Sequence, residues 1–81
     1  MKRVAVRILP RNEVLDSQGR AVQRTLERHG KKVSDCRIGK YVELELAGSN
    51  EEVLAQAREI TEFVLYNPLI ETFEIELLGE V

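Results

Sequence analysis

The chain has 81 residues, a formal net charge of −2, 32% charged and 5% aromatic residues and a single cysteine. So short a chain is one domain, residues 1–81, burying only about 60–65% of the surface its unfolded form exposes, which makes self-association a natural supplement. Mild acidity argues against an electrostatic footprint on nucleic acid or on an anionic membrane, the lone Cys36 cannot pair within the chain and suits a reducing, cytoplasmic setting, and no apolar run nears the ~20 residues of a membrane span. The N-terminal residues return to charge too soon for a secretory leader.

From Arg3 to Leu9 the pattern alternates, with Val4, Val6 and Ile8 on one side and Arg3, Ala5 and Arg7 on the other, which predicts a half-buried strand. Pro10-Arg11-Asn12-Glu13 breaks it. Asp16 then offers a carboxylate to the free amides of a helix start, Val22, Leu26 and His29 follow at helical spacing, and Gly30 closes the helix. Gly19 lies inside the first turn, where a glycine costs about 1 kcal/mol relative to alanine. Close approach of another backbone, of a phosphate or of a partner chain is the usual compensation. If the close neighbour is a partner, Gly19→Ala leaves the fold intact and weakens association; if it is the chain's own packing, the same change lowers the stability of the monomer.

Val33 to Ile38 alternates again, predicting a short second strand with Cys36 facing inward and a tight turn at Gly39-Lys40. Val42, Leu44 and Leu46 alternate with Tyr41, Glu43 and Glu45 in a third strand. Ser49-Asn50-Glu51-Glu52 is a capping-box start for a second helix whose apolar face comprises Val53, Leu54, Ala57, Ile60, Thr61, Val64 and Leu65. Asn67-Pro68 stops it. Phe73, Ile75 and Leu77 alternate with Thr72, Glu74 and Glu76 in the last strand.

The order βαββαβ predicts an α+β, ferredoxin-like domain: a four-stranded antiparallel sheet with both helices on one face. Charge specifies the neighbours. Arg3 and Arg7 sit between Glu43 and Glu45 on one side and Glu74 and Glu76 on the other only if the first strand is central.

Chemistry is harder to find. His29 has no orienting partner for acid–base work, Cys36 has no second cysteine or histidine at metal spacing, and the paired glutamates share an open face neutralised by arginine. Ser17-Gln18-Gly19-Arg20 is the one candidate anion cradle, without the longer glycine-rich loop and positioned asparagine of an acylphosphatase. The outer sheet face lacks the aromatics that stack on bases. No catalytic, cofactor-binding or metal residue is therefore expected.

Taken together, Val14-Leu15-Asp16-Ser17-Gln18-Gly19-Arg20-Ala21-Val22, Arg37-Ile38-Gly39-Lys40 and Asn67-Pro68-Leu69-Ile70-Glu71 resemble the small PurS-type subunit of phosphoribosylformylglycinamidine synthase over the whole chain. Ser17 replaces the family's usual proline and Glu13 a common glycine. The resemblance implies a non-catalytic subunit of a ligase complex in de novo purine biosynthesis, converting formylglycinamide ribonucleotide, glutamine and ATP to the amidine, glutamate, ADP and phosphate. It implies a homodimer that joins a large synthetase subunit, which uses ATP and Mg, to a glutaminase subunit and supports ammonia transfer between them. Asp16, Gln18, Gly19, Arg37, Gly39, Lys40, Asn67 and Pro68 then become candidate partner contacts. The alternative is a small regulatory domain of the same fold binding an amino acid or nucleotide.

Overall fold

A computed structural model describes residues 1–81. Strand β1 (Lys2–Pro10) is followed by helix α1 (Ser17–Arg28), strand β2 (Lys40–Leu46), helix α2 (Asn50–Ile60) with a π-helical turn at Thr61–Leu65, and strand β3 (Glu71–Glu80). The sheet is antiparallel with β1 in the centre, in the order β2-β1-β3.

Alternating charge explains that order. Arg3 lies opposite Glu45 and Arg7 opposite Glu74 in the register. On the open face the Arg3 guanidinium reaches Glu45 at 2.7 Å and Glu43 at 3.8 Å, while Arg7 pairs with Glu76. The two glutamate strands are thus kept apart by the arginine strand, as opposite-charge cross-strand pairing favours. Near the end of β3 the register shifts between Arg3 and Val4, leaving Leu78 unopposed, and Gly79 supplies the positive φ of 116° there.

The opposite face is apolar and carries α2. Val4, Val53 and Ala57 form its fully buried centre, with Leu44, Leu46, Leu54, Ile75 and Leu77 packed around them. Helix α2 starts on a complete capping box: Glu52 N–H donates to Ser49 Oγ at 3.2 Å and Ser49 N–H to Glu52 Oε1 at 2.8 Å. Its end departs from expectation. Widening to π-helical spacing at Thr61–Leu65 rotates the last turn out of the 3.6-residue register, so Thr61 is buried while Val64, expected in the core, is 63% exposed and Phe63 84% exposed.

Two expectations fail together. Ser34–Ile38 forms no ladder, so the sheet has three strands and not four, and α1 does not lie on it. Helix α1 is instead tied to the segment before β2. Ile38 N–H donates to Asp16 Oδ2 at 2.9 Å, Gln23 Nε2 donates to the Val33 carbonyl at 2.9 Å, and Gly19 backs onto the Cys36 carbonyl. As helix numbers rise along these contacts the segment's numbers fall, so the two run antiparallel as an arm beyond the sheet. The result is long and flat, 48 × 27 × 14 Å, with only 8 of 81 residues buried. Helix α1 contributes only Gly19 to that buried set, and its apolar Val22 remains 40% exposed.

Candidate subunit interface

The three sequence segments singled out above meet where the arm joins the sheet. Asp16 is the hub. Its Oδ1 accepts from Gly19 N–H at 2.9 Å, capping α1, and its Oδ2 accepts from Ile38 N–H. One carboxylate therefore terminates the helix and anchors the segment leading into β2. These two amide donors, Gly19 first and Ile38 second, hold its carboxyl below the usual carboxylate range, helped by the nearby Arg37 guanidinium. A depressed folded-state value stabilises the fold above the unfolded carboxyl's value of about 3.9 and is lost as pH falls further, through the folded value. Asp16→Ala therefore lowers Tm near neutral pH, and the gap between variant and parent closes as pH drops below about 4; paired thermal melts between pH 7 and pH 2.5 measure it.

Gly19 is not a surface feature. A Cβ placed there would lie 2.2 Å from the Cys36 carbonyl oxygen and 2.5 Å from Asp16 Oδ2. The carbonyl belongs to the chain itself, so the close approach at this glycine is one between two segments of the same chain. Gly39 repeats the device, its Cβ position falling 2.0 Å from the Ile8 carbonyl oxygen.

Arg37 also turns inward. Its guanidinium donates to Asn12 Oδ1 and to the Pro10 carbonyl, clasping the loop that leaves β1. Lys40 Nζ donates to the Leu65 carbonyl at 3.2 Å and lies 3.6 Å from Glu71 Oε2, drawing the end of α2 to the start of β3. Asn67 organises the last turn: its Oδ1 accepts from Leu69 N–H at 3.0 Å and its carbonyl from Glu71 N–H at 2.8 Å. The Pro68 carbonyl accepts twice from Arg11, from Nε at 3.0 Å and Nη2 at 2.9 Å.

Arg11 is the residue missed from sequence. It sits in the stretch that breaks β1, and its Arg11 N–H to Ile70 carbonyl bond of 2.8 Å completes the clamp on the turn. The signal was present as an arginine directly after a strand-ending proline, but nothing local says which carbonyl it will find. Of the eight candidates, Gln18 alone is an exposed polar side chain without an intramolecular bond, while the others build the platform.

What the platform presents is apolar. A groove of about 540 Å³ runs between the segments, lined by Val14, Leu15 and Gln18 from one, Ile38, Gly39 and Lys40 from the next, and Ile70 and Glu71 from the third. Leu15 is 65% exposed and Leu69, beside Ile70 in the clamped turn, is 82% exposed. Large aliphatic side chains are thus held in water by a hydrogen-bonded frame. His29 lies exposed at the far end of α1 and Cys36 in the arm, on separate parts of the chain.

Comparisons with known proteins agree over the same length. The family model PurS, described as phosphoribosylformylglycinamidine (FGAM) synthase, matches residues 3–79. Among curated proteins, the phosphoribosylformylglycinamidine synthase subunit PurS of Bacillus subtilis is 37% identical over 78 residues, covering 95% of this chain and 93% of its own. Among solved structures, PurS of Methanocaldococcus jannaschii, described as one of the subunits of formylglycinamide ribonucleotide amidotransferase in the purine biosynthetic pathway, superposes with a TM-score of 0.89 at 27% identity over the full length of both chains. A chain of the PurLQS structure from Thermotoga maritima superposes with a TM-score of 0.87 at 29% identity, covering 95% of this chain and 96% of that one.

Proposed function

Because this chain belongs to the PurS family of phosphoribosylformylglycinamidine synthase, we propose that it is the small subunit that joins the synthetase and glutaminase subunits of that ligase and supports passage of ammonia between them. The observation that carries this reading is the convergence of the three family-like segments on one groove with Leu15, Leu69 and Ile70 turned outward. A catalytic cleft gathers polar groups around a reacting atom. Here Asp16, Arg37, Asn67 and Arg11 spend their polar atoms on the chain's own backbone, and it is the aliphatic residues that are free.

In this role the chain supplies no reacting group, and ATP with its Mg belongs to the large subunit. Glutamine hydrolysis in one subunit yields ammonia and glutamate; ATP in another activates the amide oxygen of formylglycinamide ribonucleotide, which ammonia displaces as phosphate leaves. Free ammonia protonates and diffuses away in water, so the joining subunit acts by holding the two centres against one another. The regulatory ligand-binding alternative has less support, since the charged side chains that line the groove are engaged within the chain, Asp16 by the Gly19 and Ile38 amides and Lys40 by the Leu65 carbonyl and Glu71. The cytoplasm, where soluble purine precursors are handled, is the compartment this role requires.

The protein acts as a homodimer in this reading. A compact monomer of 9.3 kDa exposes about 5,000 Å², whereas this chain exposes 5881 Å². The excess of roughly 900 Å² matches what one partner buries in a standard interface, about 800 Å².

Reconstitution tests the function. With large and glutaminase subunits from the same organism, omitting this chain abolishes their co-elution and the glutamine-dependent formation of the amidine, while formation from added ammonium salt by the large subunit persists. Unchanged assembly and glutamine-dependent rate without the chain would overturn the proposal.

A further inference from the structure

The arm is an incomplete piece of sheet. After the bend at Ser34, the Cys36 carbonyl and the Ile38 N–H face α1. Backbone groups of successive residues in an extended chain point to opposite edges, so those of Asp35 and Arg37 face away from α1. The main-chain N–H groups of Asp35 and Arg37 find no acceptor in the chain. An edge with free donors and acceptors is a template for another strand.

We infer that this edge pairs antiparallel with the same edge of a second copy, on a two-fold axis passing through Cys36. The inference rests on the homodimer reading and specifies where the copies meet. Three facts select this occupant. The exposed area beyond that of a compact monomer is the size of one half of a dimer interface, roughly 900 Å². Helix α1 and the arm are the part of the chain that the sheet leaves uncovered. The charges are self-complementary in one register only.

A two-fold axis perpendicular to a pair of antiparallel strands must run through a residue position, because facing side chains share one side of the sheet. Centring it on Asp35 sets aspartate against aspartate, and centring it on Arg37 sets arginine against arginine. Centring it on Cys36 places each Asp35 opposite Arg37 of the other copy, twice. Those are the residues whose main-chain groups are free, so they form the hydrogen-bonded pairs and the two Cys36 residues a non-hydrogen-bonded pair. The Arg37 guanidinium donates to Asn12 and Pro10, which leaves further donors of its five for Asp35. Opposed residues in a non-hydrogen-bonded pair have Cα atoms about 4.5 Å apart, within the roughly 4.4–6.8 Å that a disulfide spans.

Cys36 is the only cysteine, so it reports directly on the pairing. The full chain is treated with diamide, which takes up the two protons and two electrons released as two Cys36 thiols become one disulfide, while light scattering after gel filtration records the state of the untreated protein. The expected result is a dimer in solution that converts to a reducible covalent dimer at a rate independent of dilution, with none formed by Cys36→Ser. A solution dimer that does not cross-link overturns the pairing and leaves the homodimer standing; a monomer at every concentration overturns both. A second arm uses charge. Asp35→Arg weakens self-association at least tenfold, and mixing it with Arg37→Glu restores a heterodimer, since both opposed pairs are then of opposite sign. An Asp35→Arg chain that dimerises as tightly as the parent also overturns the pairing.

Discussion

Replacing Gly19 with alanine lowers Tm by roughly 10 °C or more at fixed protein concentration, although alanine is the better helix former by about 1 kcal/mol. The added Cβ would stand 2.2 Å from the Cys36 carbonyl oxygen. The obstacle is backbone, and it cannot swing aside as a side chain can. To make room, α1 and the arm must separate by more than 1 Å, which stretches the bond from Ile38 N–H to Asp16 Oδ2 at 2.9 Å and that from Gln23 to the Val33 carbonyl at 2.9 Å. Overpacking of this kind costs about 1–3 kcal/mol before the loss of hydrogen bonds, and each kcal/mol moves Tm by about 4–8 °C in a domain of this size. Gln18→Ala, one residue away and exposed, is the control and leaves Tm within a degree or two. Thermal melts followed by circular dichroism decide it, and a Gly19→Ala chain at least as stable as the parent would show that the arm does not rest on the helix.

Gly19 also marks what can and cannot be deduced from a one-dimensional pattern. A glycine inside a helical turn announces that something approaches closely, but not what; the approaching group is a carbonyl 17 positions away in sequence. Local rules worked where both partners are local: the capping box at Ser49 and Glu52, the helix end at Gly30 with its φ of 81°, and the Asp16 cap are all present. The strand order was legible because charge adds a long-range constraint, the arginines of β1 requiring glutamates on both sides. Alternation from Val33 to Ile38 was misleading for a definable reason. Period two reports only a preference for two unlike faces; it does not report that a neighbouring strand exists within the chain, and here the Ile38 N–H and the Cys36 carbonyl turn to α1 instead. The stripe on α1 erred in the same way, since amphipathicity demands an apolar neighbour without specifying a sheet. For the interface, the three segments could be picked out from sequence, but their convergence depends on Arg11 reaching the Pro68 carbonyl, and no spacing rule predicts that.

Leu15→Asp combined with Leu69→Asp separates assembly from folding, and the expected loss of affinity for the synthetase and glutaminase subunits is about 30-fold or more. Both side chains are mostly in solvent, at 65% and 82% exposure, so charged replacements disturb little inside the chain and surface changes of this kind usually stay within about 0.5 kcal/mol. At a subunit interface the same positions become anchors. A buried aliphatic anchor seated in a partner contributes about 2 kcal/mol or more, which is roughly 30-fold in affinity, and an aspartate there must also be desolvated without a counter-ion. Glutamine-dependent amidine formation should therefore collapse at subunit concentrations near the parent Kd and recover partly when the variant is added in excess, because mass action offsets weakened binding. Ammonium-dependent formation by the large subunit stays constant throughout. The Asp35 and Cys36 tests address the arm; Leu15 also borders the cavity lined by Asp35, Cys36 and Arg37, whereas Leu69 lies in the turn before β3, so the single Leu69→Asp chain should still form the Cys36-linked dimer. A leucine variant that assembles and turns over glutamine like the parent would place the partner surface elsewhere on the chain; one that loses assembly while keeping the cross-link shows that the arm holds the copies together and the groove holds the complex.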